Sequence, residues 1–114
     1  IDIKRVGSMP ITDGARIFAL SCGVVATNTP ERLREAGLRK GIAEDDLRSW
    51  CDAFDYLQML RLRTQHRRAA GELPPAEMPN FVPLASLSTL DRRILKEALR
   101  QVRKLQQRLA LDYP

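Results

Sequence analysis

The chain has 114 residues, 44% of them hydrophobic and 29% charged, with a formal net charge of +5. That size fits one domain with a real core and excludes a second one with a core of its own, and the composition excludes a disordered chain. Six aromatic residues leave few stacking platforms, which argues against nucleic acid as partner. The longest uncharged stretch, Ile17–Pro30, is too short and too polar to span a bilayer, and the N-terminus, with Asp2, Lys4 and Arg5, lacks the apolar region of a signal peptide.

The expected elements are helices, in chain order. Pro10–Cys22 places Ile11, Ala15, Phe18 and Cys22 on one face, with Ser8 as expected cap and Gly23 as stop. Thr29-Pro30 reads as the cap and first residue of a short helix over Pro30–Leu38, weakened by Gly37 and Gly41. A third helix begins near Ala43, with Glu44, Asp45 and Asp46 at the positive end of its dipole. Leu47, Trp50, Cys51, Phe54 and Leu57 form its stripe, and Gly71 ends it. Residues Gly71–Leu87 hold four of the seven prolines and read as a connector pinned by Phe81, Val82 and Leu84. Ser88 caps the last helix, whose stripe is Leu90, Ile94, Ala98, Val102, Leu105 and Leu109. The expected fold is all-α: a four-helix, mostly antiparallel bundle with a long proline-rich connector before the last helix.

Charge is uneven, net +1 over residues 1–45 and net +4 over 46–114. The excess comes from Arg61, Arg63, Arg67 and Arg68, and from the run Arg92 to Arg108. Such clusters serve as solvated helix faces or as anion sites. Cys22 and Cys51 allow one bridge at most, and with His66 as the single histidine no Cys/His metal site is expected; two buried, reduced thiols are. No phosphate-cradling glycine loop and no nucleophile elbow is present. Asp13 and Arg16 are spaced for a local ion pair. Arg61, Arg63 and Gln65 alternate with Leu60, Leu62 and Thr64, so polar groups flank the core stripe or face a partner.

Several segments together resemble a known family. They are Asp2–Arg5, Pro10–Arg16, Ala26–Leu33 (Ala-Thr-Asn-Thr-Pro-Glu-Arg-Leu), Phe54–Gln65 (Phe-Asp-Tyr-Leu-Gln-Met-Leu-Arg-Leu-Arg-Thr-Gln) and Leu87–Leu99. In order and spacing the series resembles the family called "putative nucleotidyltransferase substrate-binding domain". The resemblance implies a bacterial, cytoplasmic signalling protein. In it, a nucleotidyltransferase domain related to the uridylyltransferases that regulate glutamine synthetase precedes this chain. CBS or cyclic-nucleotide-binding domains often lie further upstream.

It also implies that the catalytic residues lie outside this chain. Gly7-Ser8 has no following Asp-x-Asp pair, and Asp13 stands alone. Starting at Ile, the chain reads as a piece of a longer one, a single helical domain over 1–114 without catalytic residues or cofactor of its own. Magnesium and a nucleoside triphosphate are expected in the full-length protein.

The candidate substrate-binding residues on this view are Lys4, Arg5, Arg16, Arg32, Arg61 and Arg63 toward phosphates or the acceptor. Asn28, Thr29 and Gln65 are candidates for neutral hydrogen bonds, and Asp13 joins the set. The upstream domain is the expected partner, with a homodimer as a further arrangement. The alternative reading is a non-catalytic interaction or dimerisation bundle.

Overall fold

A computed structural model describes residues 1–114. It contains four α-helices: α1 (Met9–Cys22), α2 (Thr29–Arg39), α3 (Glu44–Ala69) and α4 (Thr89–Asp112). A π-helical turn, Lys4–Ser8, runs directly into α1, and a short 3₁₀ turn, Leu84–Ser86, precedes α4. Helix α3 is antiparallel to both its sequence neighbours. Gly37 lies against Leu47 while Pro30 accepts a hydrogen bond from Cys51. On the other side Arg63 pairs with Asp91 and Asp46 with Lys104. Helix α1 runs in the same direction as α4, Gly14 sitting on Leu105 and Leu109 and Ser21 meeting Tyr113.

The core is built from the stripes of all four helices. Ile11, Ala15 and Phe18 of α1 meet Leu33 and Ala36 of α2, Leu47, Trp50, Leu57 and Leu60 of α3, and Leu95, Ala98, Val102 and Leu105 of α4. Each large apolar side chain buried there contributes about 1.5–3 kcal/mol. Helix α3, 26 residues long, spans about 39 Å and forms the backbone of the bundle.

Several local details differ from the expectations. Ser8 does not cap α1: it has helical dihedrals and no capping hydrogen bond. The helical path starts earlier, where the Asp2 carboxylate accepts the Arg5 N–H at 3.1 Å. Pro10 explains the π turn. A proline ring clashes with the carbonyl four residues back and brings no N–H, and the wider π turn, in which the Met9 N–H reaches Lys4 O, relieves both demands.

At α2, Asn28 rather than Thr29 is the cap, its Oδ1 accepting the Glu31 N–H at 2.9 Å, and the helix runs to Arg39. Gly37 interrupts nothing. A Cβ there would lie 2.2 Å from Leu47 Cδ2, so the missing side chain lets α2 and α3 touch.

In the connector Val82 and Leu87 are the buried pins, whereas Phe81 and Leu84 are exposed. Phe81 acts through its backbone, bridging Asp2 beside the bonds Ile3 N–H to Asn80 O and Val82 N–H to Ile1 O. The α4 stripe is turned at its start, so Leu95 is buried while Leu90 and Ile94 are exposed. Gly23 and Gly71, both with positive φ, end α1 and α3 as expected.

Candidate functional site

The C-terminal half of α3 is where the alternating Arg61, Arg63 and Gln65 lie. Leu60 and Thr64 turn inward, Thr64 returning its hydroxyl to Leu60 O at 2.9 Å, while Leu62 is exposed. The polar residues flank this stripe and most are spent inside the fold. Arg63 forms a 2.9 Å ion pair with Asp91. Tyr56 joins it, donating to the Asp91 carbonyl at 3.1 Å. Gln65 donates to Pro79 O, Arg67 to Ser86 O, and Arg68 to Phe81 O. Together these side chains hold the proline-rich connector, which has little apolar surface with which to hold itself.

At the start of α2, Arg32 donates from Nε to Ala26 O at 2.8 Å and closes the loop after α1. Asn28 is the helix cap, and Thr29 is buried in the first turn.

The remaining candidates are not engaged in this way. Lys4, Arg5, Asp13 and Arg16 are exposed and belong to none of the ion pairs, so the local Asp13–Arg16 pair is absent. Arg61 is half-buried and its Nε has no hydrogen-bond partner, as is true of Gln58 Oε1 one turn before it. Met9, Asp13, Arg16 and Leu20 follow at steps of 4, 3 and 4, and so share the outward stripe of α1.

That face was not anticipated, although the spacing could have shown it. Val6, Met9, Ile17 and Leu20 are exposed, Leu20 by 77%, and they fall outside the Ile11, Ala15, Phe18 stripe. The outward side of α1 thus carries Arg16 among exposed apolar side chains, and Lys4 and Arg5 stand exposed in the π turn before it.

The largest clefts lie elsewhere. One of about 320 Å³ between α2 and α3 is lined by Arg34, Arg48, Asp52 and Cys51 among others. Burial pushes the Cys51 thiol up, against the nearby Arg34. No three His, Cys, Asp or Glu side chains come together to hold a metal ion. No helix is long and apolar enough to cross a membrane.

Comparison with known proteins agrees with the sequence resemblance. The family described as "putative nucleotidyltransferase substrate binding domain" matches residues 1–113. No curated protein and no solved structure matches the chain. With the family match covering nearly its whole length, the chain belongs to the putative nucleotidyltransferase substrate binding domain family.

Proposed function

We propose that the chain is the nucleotide- or acceptor-binding module of a nucleotidyltransferase-type signalling protein, bacterial and cytoplasmic, whose catalytic domain precedes it. In this reading the outward face of α1 packs against the catalytic domain. Val6, Met9, Ile17 and Leu20 supply the apolar contact, and Lys4, Arg5 and Arg16 meet phosphate oxygens, with Arg61 as a further cation and Asp13 available to a donor group. The catalytic domain holds magnesium and performs the transfer.

The observation that supports this reading is the division among the candidates. Arg32, Arg63, Gln65 and Asn28 spend their polar groups inside the fold, whereas Lys4, Arg5 and Arg16 stand exposed beside apolar surface without an ion-pair partner. Exposed apolar surface of this kind marks interaction sites, and cations there gain strength when an interface excludes water.

The test is a titration of magnesium with ATP or UTP into the full-length protein. Lys4→Glu with Arg16→Glu is expected to weaken affinity roughly tenfold or more, since a charge-assisted hydrogen bond contributes about 1.5–3 kcal/mol. Arg39→Glu, a charge reversal at the far end of α2, is expected to leave it unchanged. Equal affinity in all variants removes the α1 face from the site.

A further inference from the structure

A second surface lies on the basic side of α4. Between the Leu84–Ser86 turn and α4 runs a groove of about 430 Å³, walled by Ile1, Leu84 and Ala85 on one side and by Leu95 and Leu99 on the other. Its floor is aliphatic, with Leu95 buried and Leu84 leaving 51% of its surface open. Arg92 and Lys96 stand on its rim. Arg92, Lys96, Leu99 and Arg103 follow at steps of 4, 3 and 4, so the cations and Leu99 share one stripe of the helix. None of these three cations is in an ion pair. Arg92 is fixed at the rim by its Nε bond to Leu84 O at 3.2 Å.

We propose that this groove docks an acidic peptide segment anchored by an apolar side chain. The recessed floor takes the anchor, and Arg92, Lys96 and Arg103 take flanking carboxylates. Charge complementarity selects an acidic partner over a basic one. A membrane-binding face projects its apolar side chains beyond its cations, whereas here Leu95 lies beneath them. The distance from Arg92 to Arg103, about 16 Å along a helix, matches about five residues of extended peptide.

The experiment uses fluorescence anisotropy with a panel of labelled peptides, each a single Leu or Phe flanked on both sides by Glu. Companion panels carry Lys for Glu, or Ser for the anchor. Saturable binding of the acidic anchored panel is expected, lost in both companion panels. Lys96→Glu with Arg103→Glu, and separately Leu84→Ser, should weaken it roughly tenfold. Arg39→Glu should not. The proposal fails if no acidic anchored peptide saturates, or if the groove variants bind as well as the parent. It also fails if vesicles containing phosphatidylglycerol, or ATP, bind with this dependence on Lys96 and Arg103 while the peptides do not.

Discussion

Asp91 of α4 receives Arg63 of α3 at its carboxylate at 2.9 Å and the Tyr56 hydroxyl of the same helix at its backbone carbonyl, so one residue ties the last helix to the longest one. Its backbone N–H is in turn held by Ser88 Oγ at 3.1 Å. The Arg63 guanidinium holds the Asp91 carboxyl below its ordinary value, helped by the hydrogen bonds from Ser88 and Tyr56 and opposed by burial. A lowered folded value stabilises the fold above the unfolded aspartate value, and that contribution is lost as pH falls through the folded one. Asp91→Asn should therefore flatten the acid limb of the stability curve. A double-mutant cycle with Arg63→Ala should give roughly 1 kcal/mol or less, because both side chains are partly exposed. Urea unfolding at neutral pH and near pH 3 checks both expectations.

Gly37→Ala sets helix propensity against packing. Propensity alone favours alanine by about 1 kcal/mol. The new Cβ would meet Leu47 Cδ2 at 2.2 Å, and overpacking of that kind costs about 1–3 kcal/mol. Net destabilisation is expected in thermal melts, with the Gly37→Ala penalty largely removed in a Leu47→Ala background. A stabilised Gly37→Ala protein would mean that the Leu47 side chain yields to the new methyl at little cost.

The two free cysteines should differ in reactivity. Cys51 is buried, and desolvation raises its thiol above the ordinary value, so less thiolate is present at neutral pH. Cys22 is only half-buried. In single Cys→Ser variants, a thiol-specific disulfide reagent under native conditions should modify Cys22 first, and Cys51 only on opening of the fold.

The chain end is latched. The Tyr113 hydroxyl donates to Ser21 Oγ at 2.6 Å and accepts from Lys40 Nζ at 3.0 Å, while Lys40 also meets Asp112 at 3.4 Å. The bond to Tyr113 raises the Lys40 value above the ordinary one. Its contribution is present below the unfolded lysine value and is lost as pH rises through the folded one. Tyr113→Phe should speed amide exchange in the last turns of α4 and near Ser21, leaving the centre of α3 protected.

Much of this architecture was legible beforehand because it rests on local rules. The stop at Gly23, the Ser88 cap and the Ile11, Ala15, Phe18 face each depend on a few neighbouring residues. The π turn was not legible, because Pro10 reads as a helix start unless the widened turn before it is known. Gly37 was misleading for the opposite reason: propensity is local, but the contact with Leu47 is tertiary. The start of α4 turned Leu95 rather than Ile94 inward, since both satisfy a helical period and only the neighbouring helix decides. Among the candidate site residues, residue type identified cations but not their occupation. Arg63 and Arg16 look alike in the sequence, yet one is paired across helices and the other stands free.

The most direct measurement is isothermal titration of magnesium with ATP or UTP into the full-length protein, comparing parent, Lys4→Glu with Arg16→Glu, and Arg39→Glu. The predicted result is affinity lowered roughly tenfold or more in the α1 double variant alone. Unchanged affinity in that variant, or an equal loss in Arg39→Glu, would contradict the assignment of the α1 face to the nucleotide.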